Sequence, residues 1–121
     1  MNSKKTLVIG GSENPARYSN MAIRMLKEYD IEVVSVAKRE GKVQDVKIQT
    51  IFPKDKDINT VTLYIGPQRQ SEYYDKILSL KPERVIFNPG TENDEFMEML
   101  YGNGIEAIEA CTLVMMRTGQ Y

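Results

Sequence analysis

Short apolar runs alternate with longer amphipathic segments along the chain. Residues 6–9 form the first apolar run and predict a buried strand. Residues 21–29 then carry apolar side chains at the i, i+3, i+4, i+7 spacing of a helix that faces a sheet. Further strands are predicted at 31–36, 60–65, 84–87 and 105–108. Further helices are predicted around 73–80, from a loose capping box at Thr91–Asp94 to Leu100, and at 112–118. Residues 48–51 are interpreted as a short extra strand, and the charged stretch 37–47 as an exposed loop.

This alternation is the βαβ pattern of an α/β fold. We predict a single Rossmann-like domain over residues 1–121, with an open, mostly parallel sheet of about five strands and helices on both faces. In such sheets, ligands bind beyond the carboxyl ends of the strands. The loops expected there hold most of the glycine and proline and the single cysteine, and they are residues 10–19, 37–42, 66–68, 88–91 and 109–112.

The composition limits the possible functions. The chain has 121 residues, 41% hydrophobic and 27% charged, which is typical of a globular protein with a real core. A net charge of −1 argues against nucleic-acid binding through bulk electrostatics. The apolar runs are too short for a membrane span or a signal peptide, so we expect a cytoplasmic protein without membrane partners.

Two residue types restrict the chemistry further. The chain has no His, which excludes Ser-His-Asp triads and His-ligated metals. It has one Cys, which excludes an internal disulfide and a Cys-x-x-Cys pair. The carboxylates form no clear catalytic pair, and no metal site is predicted. Binding is therefore favoured over catalysis.

The first strand is followed by a glycine-rich loop and then a helix, the arrangement that seats a phosphate on backbone N–H groups. The loop resembles a dinucleotide fingerprint, but Pro15 stands in the place of the third glycine. The helix cap is predicted at Ser19 or Asn20. An ordinary turn between strand and helix is the alternative. The candidate binding residues here are Gly10, Gly11, Ser12, Pro15, Arg17, Ser19 and Asn20.

The end of the second strand carries Ala37, Lys38 and Arg39, where NAD-binding folds usually place an acidic residue. Two cations at this position suit a ribose with an extra phosphate, as in NADP or coenzyme A. The alternative is a solvated basic loop, since Glu40 lies close enough to offset part of the charge.

Two later segments complete the candidate set. The turn Asn88, Pro89, Gly90 and Thr91 would bring backbone close to a pyrophosphate or a pantetheine arm, or it is a plain tight turn. Cys111 lies near the start of the last helix, where a thiol's pKa is lowered and the thiol would face a ligand. The alternative is a small buried core residue.

Through Gly10, Ser12, Pro15 and Ser19, and through the late Cys111 segment, the chain resembles the small stand-alone CoA-binding domain proteins. These are related to the nucleotide-binding domain of the succinyl-CoA synthetase alpha subunit. The resemblance implies CoA at the strand ends, with the pyrophosphate on the first loop and the adenosine near the second strand. Many relatives have an Asn-Pro pair where this chain has Lys38 and Arg39. The synthetase's phosphohistidine has no counterpart here.

We therefore predict a protein that binds coenzyme A or an acyl-CoA, with NADP as the second ligand candidate, and that does not itself catalyse a reaction. A minimal NADP-dependent oxidoreductase and a ligand-free protein-interaction module are the alternatives. A symmetric homodimer is the commonest assembly for a small domain of this kind. A disulfide between Cys111 and CoA is a further hypothesis.

Overall fold

The apolar runs form a seven-stranded sheet in the computed structural model, which describes residues 4–121. The strands are β1 (Thr6–Ile9), β2 (Val33–Val36), β3 (Gly41–Val43), β4 (Val46–Gln49), β5 (Thr60–Leu63), β6 (Arg84–Phe87) and β7 (Glu106–Glu109). The helices are α1 (Tyr18–Glu28), α2 (Tyr74–Leu80), α3 (Asp94–Gly102) and α4 (Thr112–Arg117). Two 3-10 turns, Pro67–Arg69 and Ser71–Tyr73, lead into α2.

The strand order is β3-β4-β2-β1-β5-β6-β7, and all neighbours are parallel except the β3–β4 hairpin. The prediction of an α/β fold with a mostly parallel sheet is confirmed, but the count of about five strands is wrong. The missing pair lies partly in the predicted loop 37–47. Every second residue of β4 is exposed, and Lys42 and Lys47 face solvent on the hairpin, so its sequence looks like that of a charged loop.

Helices cover both faces of the sheet, as predicted. Leu7 and Ile9 pack into a cluster with Ile77 of α2 and Phe96 of α3. Val8, between them, points to the other face, into a cluster made with α1 and α4. The β1 residues are fully buried on both faces. This explains why their sequence is a continuous apolar run rather than an alternating one.

Two helix starts differ from their predicted positions. The N-cap of α1 is Arg17, which has extended backbone and no capping side chain, so the predicted cap at Ser19 or Asn20 is wrong. Both of those residues lie inside the first turn. The N-cap of α3 is Asn93, whose side chain accepts a hydrogen bond from the Phe96 amide at 3.1 Å, and not Thr91 as the capping-box pattern predicts.

The amino end of the sheet is held together by paired charges. Lys5 contacts carboxylates of Asp55 at 2.8 Å, Asp57 at 3.1 Å and Glu32 at 3.4 Å, and the Asp55 hydrogen bond raises the pKa of the Lys5 ammonium. Arg84 donates to the Thr60 hydroxyl at 2.8 Å. It also donates to the Tyr121 carbonyl at 2.7 Å, and its guanidinium lies over the Tyr121 ring.

Within residues 4–121, the helices are too short and too polar for any of them to cross a membrane.

Candidate functional site

A cleft of about 750 Å³ lies at the carboxyl end of the sheet, where the chain reverses its direction of travel across it. From β1 the chain passes through α1 to β2 on one side, whereas β5 pairs with β1 on the other side. The loops after these strands diverge to opposite faces and leave a crevice between them. This switch point is where open α/β sheets bind ligands, and the volume is within the usual range for ligand pockets of about 300–1,000 Å³.

Four segments that are distant in sequence meet in this cleft, and most of the predicted site residues are in them. The predicted residues that line it are Gly10, Gly11, Ser12, Arg17, Ser19, Ala37, Lys38, Arg39, Pro89, Gly90 and Thr91. Pro15, Asn20, Asn88 and Cys111 are not among the lining residues. Whether the lining residues bind a ligand remains a prediction.

The first loop holds its shape through its own side chains. The Ser12 hydroxyl accepts from the Asn14 amide at 3.1 Å, and the Asn14 side chain accepts from the Ala16 amide at 3.0 Å. Asn20 donates to the Ser12 carbonyl at 2.9 Å and accepts from Arg24 at 2.7 Å. Asn20 therefore fixes the loop from beneath, which is why it is 4% exposed and does not line the cleft.

The two loop glycines have packing reasons of their own. Gly10 adopts φ +95°, a region that side chains rarely tolerate, and a Cβ there would lie 2.9 Å from Ile65. A Cβ on Gly11 would lie 2.3 Å from the Ser35 hydroxyl oxygen, which itself donates to the Val8 carbonyl. Both glycines would be needed without any ligand, so their presence alone does not indicate a phosphate.

The unused hydrogen-bond donors of this loop are the stronger evidence. Within residues 4–121, the amides of Gly11 and Ser12 donate to no backbone or side-chain acceptor. Helix α1 has no capping side chain and no acidic residue in its first turn. Ser19 lies in that turn with a hydroxyl that has no partner in the same part of the chain. The positive end of the α1 dipole and these free donors therefore lie together at the cleft, as an anion site requires.

Three arginines around the cleft have no ion pair within residues 4–121: Arg17, Arg39 and Arg69. Lys38 differs, because its ammonium contacts the Glu72 carboxylate at 2.9 Å. The Glu13 carboxylate is turned to the hairpin, where it accepts from the Lys42 amide at 2.9 Å. Glu40 also lines the cleft and has no ion pair within residues 4–121, so three arginines stand against this one carboxylate, and the charge left available to a ligand is mainly cationic.

The turn at 88–91 is closed on itself. The amide and the hydroxyl of Thr91 both donate to the Asn88 carbonyl, at 2.9 Å and 2.8 Å. The Gly90 amide donates to the Glu92 carboxylate at 3.0 Å. The donors that would hold a pyrophosphate are thus already used, and Pro89 with Gly90 presents a largely neutral wall.

A buried glutamine joins two walls of the cleft. Gln70 is fully buried and donates to the carbonyls of Ile65 at 3.0 Å and Thr91 at 2.8 Å. Its side-chain oxygen accepts from Asn93 at 3.0 Å. Ile65 belongs to the loop after β5, and Thr91 to the loop after β6. Gln70 therefore fixes the separation of these two loops.

Tyr64, directly after β5, lines the cleft with its ring, while its hydroxyl is enclosed. Within residues 4–121 the hydroxyl makes no well-formed hydrogen bond, although the hydroxyls of Thr62 and Thr112, which bond to each other at 2.8 Å, lie near enough to oppose part of the rise in its pKa. Burial raises the pKa of Tyr64 to about 12. The phenol is therefore neutral at physiological pH.

Asn88 and Cys111 have structural surroundings. Asn88 donates to the Thr62 hydroxyl at 2.7 Å and the Leu63 carbonyl at 2.8 Å, and it accepts from the Thr112 amide at 2.9 Å. It thereby ties β5 and β6 to the start of α4. Cys111, a half-buried free thiol, packs against the cluster formed with α1 and α4.

The residues that sequence reasoning missed follow β5. Arg69 and Tyr64 line the cleft and Gln70 fixes its walls. The loop was predicted from Gly66 and Pro67, so its position was available from the sequence. The sequence does not indicate which side chains after β5 face the cleft, because their directions depend on the two 3-10 turns that follow.

The sheet order and the cleft at its switch point define a Rossmann-like α/β protein. The model of one family, described as the CoA binding domain, matches residues 4–117. The chain belongs to this family, and the resemblance noted from its sequence is confirmed. A search of curated proteins gives no match.

Solved structures share this fold. The chain is similar to the crystal structure of an uncharacterized protein, with 45% identity, 100% of each chain covered and a TM-score of 0.96. It is similar to a hypothetical protein from Pyrococcus horikoshii OT3 at 24% identity, covering 94% of this chain and 82% of that one with a TM-score of 0.84. A conserved hypothetical protein from Pyrococcus furiosus matches at 23% identity over 92% and 97% of the two chains, with a TM-score of 0.80. The last two show the fold alone.

Proposed function

We propose that the cleft binds coenzyme A or an acyl-CoA and that the protein acts by binding it, without catalysing a reaction. The single observation that carries this proposal is the cluster of unused donors at the start of α1, next to arginines without ion pairs. Membership of the CoA binding domain family supports the ligand class.

The pyrophosphate would lie on the first loop. The amides of Gly11 and Ser12 and the hydroxyl of Ser19 have no competing acceptor within residues 4–121, and the uncapped helix end adds favourable potential. Arg17 is exposed at the same helix end and would pair with a phosphate oxygen.

The 3′-phosphate would lie near the end of β2. Arg39 follows β2, and Arg69, in the turn after β5, lies near enough to Lys38 to oppose part of the rise in its pKa. Both line the cleft without an ion pair within residues 4–121. Arginine binds phosphate in a bidentate manner and stays charged, so these two side chains suit a phosphate dianion. A ribose without the extra phosphate would leave these cations unused.

The pantetheine arm would run along Pro89 and Gly90, whose wall offers little charge. The proposal does not use Cys111, because the thiol lies outside the lining residues and packs against another part of the molecule. The proposal gives Tyr64 no proton-transfer role, since its hydroxyl is enclosed and burial raises its pKa to about 12.

Calorimetric titration with CoA, acetyl-CoA, dephospho-CoA, NADP and NAD tests the proposal. We expect CoA and acetyl-CoA to bind and dephospho-CoA to bind about tenfold more weakly, since one charge-assisted phosphate contact contributes about 1.5–3 kcal/mol before solvent screening. In Arg39→Ala this difference shrinks, whereas the exposed and remote Arg117→Ala serves as a matched control that keeps it.

A preference for NADP over CoA would replace the proposal with the oxidoreductase alternative, because the same two arginines also suit a 2′-phosphate. No heat with any of these nucleotides would favour the protein-interaction module. A symmetric homodimer remains a prediction, which the solution mass from light scattering tests.

A further inference from the structure

The Lys38–Glu72 ion pair joins a residue that lines the cleft to a turn next to it. Lys38 follows β2, and Glu72 lies in the second 3-10 turn after β5, so the pair connects segments on opposite sides of β1. The atoms are 2.9 Å apart. The contact raises the pKa of the Lys38 ammonium and lowers the pKa of the Glu72 carboxyl, and both side chains remain exposed to solvent.

This pairing sets Lys38 apart from the other cations of the cleft. Arg17, Arg39 and Arg69 have no carboxylate partner within residues 4–121, whereas the ammonium of Lys38 already has one. Glu72 itself is not a lining residue. An anion that enters this side of the cleft must therefore compete with Glu72 for Lys38.

The geometry points to Glu72 as an internal competitor for the ribose phosphate: its carboxylate occupies Lys38 until a ribose phosphate of the ligand displaces it, and this competition reduces the preference for a ligand that carries that phosphate. The inference rests on the proposed function and adds to it a residue that sets how strongly the ribose phosphate is preferred. A ligand with a phosphate dianion on its ribose replaces the lost ion pair with a stronger one. A ligand without that phosphate leaves the pair in place and gains nothing from Lys38.

The pair also makes Lys38 less available to a ligand than the three arginines of the cleft. An unpaired lysine at the mouth of a cleft would attract any anion, including free phosphate. Glu72 offsets this attraction and adds repulsion toward incoming negative charge. Glu72 therefore weakens the attraction of Lys38 for an anion, and this loss falls on a ribose phosphate because that group is the one expected to contact Lys38.

The test removes the carboxylate and measures two ligands. Titrations of Glu72→Gln with CoA and with dephospho-CoA are compared with the wild-type protein and with Asp75→Asn. Asp75 is an exposed carboxylate on α2 with no ion pair within residues 4–121, so its variant controls for the general loss of one negative charge. The same substitution in a Lys38→Ala background completes a double-mutant cycle.

We expect Glu72→Gln to raise the affinity for CoA by about two- to fivefold, the range that exposed ion pairs reach. The affinity for dephospho-CoA stays unchanged, and the gain disappears in the Lys38→Ala background. The thermal midpoints of the variants remain close to that of the wild type, because the pair is exposed.

Three results would overturn the inference while leaving CoA binding intact. These are weaker or unchanged CoA binding by Glu72→Gln, an equal gain for both ligands or for Asp75→Asn, and a gain that persists without Lys38. A wild-type protein that binds no CoA would instead remove the proposed function, and this inference with it.

Discussion

The charged side chains at the two ends of the sheet differ in whether they have partners within the protein. At the amino end, Lys5 contacts three carboxylates, and Arg84 is used by Thr60 and Tyr121. At the carboxyl end, within residues 4–121, Arg39 and Arg69 have no such partners. Charges that stabilise a fold are satisfied within it, whereas charges that bind a ligand are left available. The difference separates residues expected to affect stability from those expected to affect affinity.

The largest effect is expected at Gln70. This residue lies at the carboxyl end but is buried, so its substitution should affect stability as well as affinity. In Gln70→Met, the carbonyls of Ile65 and Thr91 lose their donor. Leaving buried polar groups unpaired costs about 1–3 kcal/mol each, so urea denaturation should show a loss of about 3 kcal/mol. CoA affinity, measured by calorimetry well below the unfolding midpoint, should fall about tenfold because two cleft walls lose their alignment.

Gln68→Met is the matched control, since Gln68 is exposed in the same loop. Stability lost with affinity unchanged would show that Gln70 acts on the fold alone.

Arg84→Met tests the amino end. The side chain is 9% exposed, and its loss removes the donors to the Thr60 hydroxyl and the Tyr121 carbonyl. We expect the free energy of unfolding to drop by about 2 kcal/mol. Affinity for CoA should not change, because the substitution is at the opposite end of the sheet. A clear loss of affinity would contradict the separation of the two ends.

Tyr64→Phe tests the buried phenol through pH. Its pKa rises from 10.0 to about 12 on folding, so between pH 10 and 12 the folded state holds the proton that the unfolded state releases. Stability therefore falls as pH rises through this window, by about 2–3 kcal/mol at full extent. Lys5, whose pKa is also raised above 10.5, adds stability that is complete below that pH and is lost above it.

In Tyr64→Phe, the denaturation curve should lose the Tyr64 share of the alkaline slope. Stability at pH 7 should stay the same or rise slightly, because the removed hydroxyl has no hydrogen-bond partner within residues 4–121. If the slope of stability against pH between 10 and 12 is unchanged in Tyr64→Phe, ionisation of Tyr64 does not contribute to the alkaline loss of stability.

Arg69→Ala should give the smallest effect, about a threefold to fivefold loss of CoA affinity, since the side chain is exposed and screened. The dependence of affinity on salt should become weaker as well. Thermal stability should be unchanged or slightly higher, because like charges around the cleft are reduced. A fall in stability without a change in affinity would place Arg69 with the amino-end charges.

Most of the fold could be predicted from the sequence because buried parallel strands are continuous apolar runs. Residues 84–87 were predicted as a strand, and β6 has these bounds. The β3–β4 hairpin could not be found in this way, since its solvent-facing lysines interrupt the apolar signal. The N-cap of α1 was missed because Arg17 makes no capping hydrogen bond and therefore has no sequence signature.

The position of the cleft could be predicted from the sequence, but the contacts among its residues could not. Loop positions follow from strand order, so Gly10 and Arg39 were found in advance. Which donors remain free depends on hydrogen bonds between distant segments. Glu72 and Gln70 act through such contacts, and no local pattern indicates them.

The position of β1 has a consequence for how the protein folds. Among the strands of this sheet β1 is synthesised first, yet it lies inside the sheet, and its second neighbour is complete only after Thr60 to Leu63 have emerged. Until then, one edge of an apolar strand has no partner, and this pairing must close a long loop, which slows folding. During synthesis, the unpaired edge of β1 is therefore the place where a chaperone or a misplaced strand would bind instead of β5.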